Sequence, residues 1–297
     1  MKIDGVFSGG GVKAYAFIGV LESLEQKGLK LERAAGTSAG AIMASFVAAD
    51  YHAEEVKALF YDLELKRFLD PPKITQWLPF SRWLFLYFQL GLYKGDRLEK
   101  WLQVQLGKKG VHTFADLKTG YLKVVVSDLS LGKLVVIPDD LERIYQINPR
   151  EFSVAKAVRM SAGFPYFFMP GKIMGANGYK SIIVDGGLLS NFPLWLFARK
   201  NAKDDRPVLG IKLTENMEEE RRPQSISNAF DLFHALFSTM KQAHDTRYIS
   251  TTDQPHIMFV PVEKTETMDF QLNEERRVEL IQSGRETADR FLKHWPK

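Results

Sequence analysis

Three segments of this chain read as short apolar strands that run straight into a glycine-bearing turn, and that pattern constrains the fold more than any other feature of its 297 residues. Ile3 to Phe7 ends in Ser8-Gly9-Gly10-Gly11. It passes into an amphipathic helix from Val12 to Lys27, with Ala16, Gly19, Val20 and Leu24 on one face and Gly28 placed to end it. Leu31 to Ala35 ends in Gly36-Thr37-Ser38-Ala39-Gly40 and opens a helix that reaches about Ala49. Ser181 to Val184 ends in Asp185-Gly186-Gly187. Strands that alternate with helices imply an α/β fold: a mostly parallel central sheet with helices on both faces.

The remaining segments fit that frame. Residues 50–118 read as helical and irregular, broken at Pro71-Pro72, with Asp96 as an expected N-cap. Tyr121 to Ser127 and Lys133 to Ile137 read as a hairpin, and Val154 to Ser161 as a helix that stops before Gly163-Phe164-Pro165. Pro193 suits the first position of another helix. Val208 to Leu213 and Ile257 to Val262 read as strands, with helices near 226–247 and 274–295. No composition shift marks a linker, so a single domain over 1–297 is expected, with residues 50–118 as a mainly helical, lid-like elaboration.

Composition excludes several function classes. Hydrophobic residues make up 45% and charged residues 26%, a balance that supports a large core and argues against disorder. Cysteine is absent, which removes disulfides and thiolate metal sites. A net charge of +4 suits an anionic membrane surface but is too small, and too evenly spread, to indicate nucleic acid. The opening MKIDGVFSGGG has no secretory pattern, so a cytoplasmic location is expected. No apolar run reaches the roughly 18 residues of a membrane span. The nearest, residues 77–93 (WLPFSRWLFLYFQLGLY), is broken by Ser81-Arg82 and Gln89 and is too short and too interrupted to span.

In such sheets, sites gather where strands end. A serine flanked by glycines after a strand and before a helix has the pattern of a nucleophile elbow. The turn forces Ser38 clear of its neighbours, and Gly36 and Gly40 remove side chains that would clash. Close helix–strand packing that merely requires small residues is the competing explanation. Gly9-Gly10-Gly11 presents backbone N–H groups at a helix start, suited to a phosphate or to the oxyanion of acyl transfer. It also fits a relaxed dinucleotide fingerprint through Ala14 and Glu32, although Glu32 falls near the start of its strand rather than the end. Lys13 is a possible anion contact beside that loop, or a solvated lysine. Asp185, with Gly186 and Gly187 behind it, supplies a carboxylate able to take the Ser38 proton. His52, His112, His234, His244, His256 and His294 are the histidines available for a conventional triad; His256, just before a strand, is the best placed. A Ser–Asp pair needs none of them, provided the aspartate is held within hydrogen-bond reach in a dry site.

Taken in order, Gly9-Gly10-Gly11-Val12-Lys13, Gly36-Thr37-Ser38-Ala39-Gly40 and Asp185-Gly186-Gly187 followed by Asn191 and Pro193 resemble the motifs of the patatin-like phospholipases. Ser161-Ala162-Gly163-Phe164-Pro165 resembles a further family block, read as structural support for the site. Ala14 departs from the glycine usual there. The resemblance implies a three-layer α/β sandwich and hydrolysis of lipid acyl esters without metal or cofactor. It implies Ser38 as nucleophile, Asp185 as its partner, and N–H groups of Gly10 and Gly11, with Gly9 or Ala39, as the oxyanion hole. Lipid or acyl-ester substrate and peripheral membrane association follow as expectations, and residues 77–93, with Arg82 and Lys94 nearby, then read as an interfacial lid or acyl-chain pocket, or otherwise as a helix covering the core. A Ser-His-Asp carboxylesterase or acyltransferase, and a non-catalytic nucleotide- or lipid-binding module, are the alternatives.

Overall fold

Alternation of buried side chains along the first strand defines two faces of a central sheet. In the computed structural model β1 (Lys2–Phe7) sends Ile3 and Phe7 into one core and Val6 into a second, all fully buried. A strand covered on both faces is what a central position in a parallel sheet requires. The structure describes residues 1–72, 86–176, 178–197, 206–214, 226–228, 231–233, 235–240, 256–262 and 272–296.

Around β1, β2 (Lys30–Thr37) and β9 (Val208–Thr214) pair parallel on its two edges, and β10 (Ile257–Pro261) pairs parallel with β9. β4 (Leu122–Asp128) lies parallel to β2. β5 (Lys133–Ile137), β7 (Gly171–Met174) and β8 (Lys180–Asp185) run antiparallel to their neighbours. The sheet order is β10-β9-β1-β2-β4-β8-β7, with β5 also on β4. β3 (Gly91–Tyr93) and β6 (Tyr166–Phe168) form a separate parallel pair. The fold is thus α/β with a mixed, mostly parallel sheet.

One face of the sheet carries α1 (Tyr15–Gln26), α2 (Ala39–Ala48) and α6 (Glu274–Phe291). α1 and α6 pack so closely that a Cβ on Gly19 would overlap the carbonyl of Ile281, and one on Gly284 that of Ala16. Buried Glu22 on α1 receives Lys57 of α3 (Ala53–Tyr61) at 3.0 Å and Arg285 of α6, so its charge is matched twice. The other face is covered by Phe192, Leu194, Leu196 and Phe197 over Val6, Ala35, Val125 and Val136.

Several local expectations change. The first helix opens as a 3-10 turn, Gly11–Ala14, because Gly11 sits at φ +57°, and regular helix begins only at Tyr15. Asp96 is not an N-cap but the first helical residue of α4 (Asp96–Lys108). Gly95 precedes it at φ +78°, and the helix start is capped from a distance by the Asp70 carboxylate, which accepts from Gly95 N (2.7 Å) and Arg97 N (3.1 Å). After Pro193 only a 3-10 turn, Leu194–Leu196, forms before the described residues stop at 197. Of the aromatic stretch at 77–93, residues 77–85 lie outside the described residues, Trp77, Arg82, Trp83 and Phe85 among them; so do His234, His244 and residues 241–247 of the expected late helix. Tyr87 and Phe88 face solvent, 78% and 69% exposed, and so do not cover a core. Among the described residues no helix is long and apolar enough to cross a membrane.

Candidate active site

Strand pairing brings the two acid–base candidates together in a way the sequence does not foretell. β5 pairs with β4 along Val124–Asp128 and so occupies one of its edges. A strand has only two edges, so β2, pairing with Leu122–Val125, and β8, pairing with Val126–Asp128, share the other. β2 runs parallel to β4 and β8 antiparallel. The two therefore run toward each other and meet where Thr37 stands opposite Val125 and Asp185 opposite Val126. Contact across the junction is tight: a Cβ on Gly186 would lie 3.0 Å from Thr37 Cγ2 and would overlap Val125 O. Ser38 leaves one strand and Asp185 ends the other at the same point of the fold.

Ser38 is held in an uncommon backbone conformation, φ 57°, ψ −128°, between β2 and α2. A Cβ on Gly36 would overlap the carbonyl of Gly40, and one on Gly40 would overlap the carbonyls of Phe7 and Ser8. Both flanking glycines are thus demanded by backbone crowding, as a nucleophile elbow requires. Beneath the turn, Ser38 N donates to Ser161 Oγ (2.9 Å), and Ser161 Oγ donates to Val125 O (2.6 Å). Ser161 ends α5 (Val154–Ser161). Two residues on, Gly163 O accepts from Asp185 N at 3.0 Å. One short segment, 161–163, therefore supports both strand ends.

Two residues before Ser161, Arg159 anchors that segment from below. Its guanidinium donates to Lys94 O and to Met169 O (2.7 Å), holding the ends of β3 and β6. Burial lowers its pKa from the usual guanidinium value, with Glu99, Asp96 and Asp70 opposing.

The Asp185 carboxylate is 2% exposed and accepts from Gly187 N at 2.7 Å. Across from it, buried Asn191 takes Gly9 N on its backbone oxygen at 2.9 Å. A Cβ on Gly9 would overlap Asn191 Oδ1 and stand 3.2 Å from Ser38 Cβ; a Cβ on Gly187 would stand 3.3 Å from Asn191 Oδ1 and 3.0 Å from Asp185 Oδ1. The Asn191 amide is therefore wedged between the glycine loop and the aspartate turn. Because Gly9 N is taken, Gly9 is removed from the expected oxyanion donors. Its backbone fixes the loop instead. Among the described residues no protein group accepts from the N–H of Gly10, Gly11 or Ala39. Lys13 is not a solvated lysine; it is 5% exposed and has partners within the fold.

Ser38 opens onto an apolar cavity of about 110 Å³. Gly11, Val12, Tyr15, Ala39 and Ile42 line it, together with Ala162, Phe164 and Phe168. The remaining wall comes from Phe60, Leu63, Leu65, Phe68, Leu98 and Trp101, all within the 50–118 elaboration. Hydrophobic side chains converge on one hydroxyl, which suits a substrate with an apolar body and a single polar reactive group.

Other candidates fall elsewhere. His256 Nδ1 accepts from Trp295 Nε1 at 3.3 Å, and His52 pairs with Glu25 at 3.4 Å. Glu32 binds Lys2 at 3.1 Å, away from the serine end of β2. The supporting role of Ser161, and the wedge formed by Asn191, depend on contacts across more than a hundred residues; only their membership of glycine-bearing blocks signals them in sequence.

A family model described as patatin-like phospholipase matches residues 5–198. YqhO of Bacillus subtilis, an uncharacterized protein, is 46% identical over 295 residues, 99% of this chain and 99% of its own. VipD from Legionella pneumophila superposes with a TM-score of 0.59 at 19% identity, over 98% of this chain and 67% of that one. The type III effector protein ExoU of Pseudomonas aeruginosa superposes with a TM-score of 0.52 at 16% identity, over 99% of this chain and 53% of that one. At these identities the structural likeness concerns the fold.

Proposed function

Since the chain belongs to the patatin-like phospholipase family, we propose that it hydrolyses acyl esters of lipids, with Ser38 as nucleophile and Asp185 as its proton acceptor. The observation that supports this reading is the head-on approach of β2 and β8, whose ends, Thr37 and Asp185, stand opposite neighbouring residues of β4, with Ser38 lining an apolar cavity.

In the reaction Asp185 takes the Ser38 proton as Oγ attacks the acyl carbonyl. Negative charge develops on the carbonyl oxygen, and the N–H groups of Gly10, Gly11 and Ala39 receive it. Those amides lie at the start of a 3-10 turn and of α2, where backbone donors have no helical acceptor of their own. Collapse of the tetrahedral intermediate expels the alcohol, which leaves with the proton held by Asp185. Water then attacks the acyl-serine, with Asp185 again the base, and the fatty acid departs. The cavity accepts the acyl chain, and its apolar walls exclude competing water.

Labelling with a fluorophosphonate, mapping of the modified peptide and an ester panel test this directly. The label is expected on Ser38. Ser38→Ala and Asp185→Asn are each expected to lower kcat by about 10³-fold or more, the scale seen when members of such a unit are removed, with the melting temperature kept. Hydrolysis at the parental rate by Ser38→Ala overturns the assignment.

A further inference from the structure

Residues 231–233 and 235–240 form a helix with apolar side chains on both sides. Phe233 and Phe237 face inward, their ring centroids 6.2 and 4.8 Å from that of Phe164, which itself lines the cavity at Ser38. Phe237 also approaches the aspartate turn: a Cβ on Gly187 would lie 3.8 Å from Phe237 Cζ. The described outward side carries Leu232, Leu236 and Met240, spaced four residues apart and 48%, 55% and 48% exposed, with Thr239 beside them. A helix that merely covers a water-soluble core turns charge outward. This one turns out a row of three large apolar side chains.

The row does not end with the helix. The Tyr166 ring, itself 41% exposed, packs on Phe233 at 4.6 Å. Tyr166 pairs with Gly91, which directly follows the exposed Leu90 and Phe88.

We infer that this face seats on a lipid surface, the helix of residues 231–233 and 235–240 lying in the boundary with Leu232, Leu236 and Met240 among acyl chains. Continuity identifies the occupant. Exposed Tyr166 meets Phe233, and Phe233 and Phe237 meet Phe164 of the Ser38 cavity, through ring contacts, while Leu232, Leu236 and Met240 stand on the same helix, so apolar surface leads from the outward row toward the serine. Tyrosine and phenylalanine at the margin suit a boundary with one wet side. A second copy of the chain fits less well, because one helical row falls far short of the ~800 Å² per partner of a standard protein interface. The choice of lipid as occupant rests on the acyl-hydrolase reading.

The chain contains no cysteine, so Leu236→Cys places a unique thiol on the row. In the Ser38→Ala background, labelled at that thiol with a polarity-sensitive fluorophore and mixed with phosphatidylcholine–phosphatidylglycerol vesicles, it is expected to shift to the blue and be quenched by acyl-chain spin labels. The triple variant Leu232→Gln, Leu236→Gln, Met240→Gln is expected to lose at least about tenfold in vesicle partitioning, on the scale of apolar surface withheld from lipid. Its melting temperature and its turnover of a water-soluble short-chain ester are expected to stay at the parental values. An unshifted fluorophore, or parental partitioning by the triple variant, overturns the inference. So does a dimer of the full chain without lipid that the triple variant dissolves, since a second copy would then own the face. A parent chain inactive on every ester sinks the hydrolase reading while leaving the vesicle measurement to decide the docking.

Discussion

The turn that carries Ser38 and the turn that carries Asp185 meet at one point but are built by opposite means. The serine turn is short in sequence and steric, its glycines giving way to carbonyls of the turn itself and of β1 and its loop. Five consecutive residues make it, their glycines demanded by neighbouring carbonyls, and the serine bears a strained φ of 57°. The aspartate turn is long-range and hydrogen-bonded. Asp185 has an ordinary backbone, φ −47° and ψ 131°. It is fixed by Gly163 O on its N–H and by Gly187 N on its carboxylate, and the chain beyond it is tied to β2 by Thr37 Oγ1 donating to Ser190 O at 2.9 Å. A reactive hydroxyl is thus marked in sequence by a pentapeptide, whereas its partner is placed by strand pairing.

If that contrast holds, filling space should wreck the first turn most severely. Gly40→Val places a branched side chain into the carbonyls of Phe7 and Ser8, which belong to β1 and its glycine loop and have nowhere to go. Backbone shift or loss of the turn is the only relief, so a cost of about 3 kcal/mol or more is expected, with ester hydrolysis abolished. Chemical denaturation of the purified variant measures the first, and a parental unfolding midpoint would show that the glycine is not sterically required.

A smaller effect should follow from cutting the link between the two turns. Ser161→Ala removes the hydroxyl that accepts from Ser38 N and donates to Val125 O, in a site with no exposure. Two buried backbone groups lose their partner, at a cost of about 1–3 kcal/mol. Because both strand ends rest on this segment, kcat should fall more than KM rises, whereas a purely structural role would lower the melting temperature and leave the kcat of the remaining folded enzyme intact.

The same contrast explains what could be read from the sequence. The strand–glycine–helix units at Ser38 and at Gly9–Gly11 were legible because each is a single stretch of chain with its own steric logic. The parallel strands around β1 were legible from their alternation with helices. The antiparallel course of β8 was not, since it rests on pairing with β4, more than fifty residues back in sequence. Nor was the loss of Gly9 N from the donor set, because its acceptor, Asn191 O, lies more than 180 residues away. Asp96 misleads for a similar reason: it has the chemistry of a cap, but Asp70 arrives from another segment and does the capping.

The finest discrimination between the turns comes from replacing each functional residue by glycine. At Ser38 glycine removes a backbone penalty of order 1–2 kcal/mol for a side chain at positive φ, and as a helix N-cap it costs only a few tenths. Ser38→Gly should therefore be inactive yet more stable, by about 1 kcal/mol, or roughly 2 °C in Tm for a chain of this size. At Asp185 there is no strain to release, and glycine forfeits the carboxylate that accepts from Gly187 N. Asp185→Gly should be inactive and less stable, by about 1–2 kcal/mol. Scanning calorimetry on the pair gives shifts of opposite sign if the serine stores backbone strain and the aspartate does not. A Ser38→Gly protein that melts below the parent would mean that α2 and the glycine loop accommodate φ 57° at no cost, and the division between a strained turn and a hydrogen-bonded one would fail at its first term.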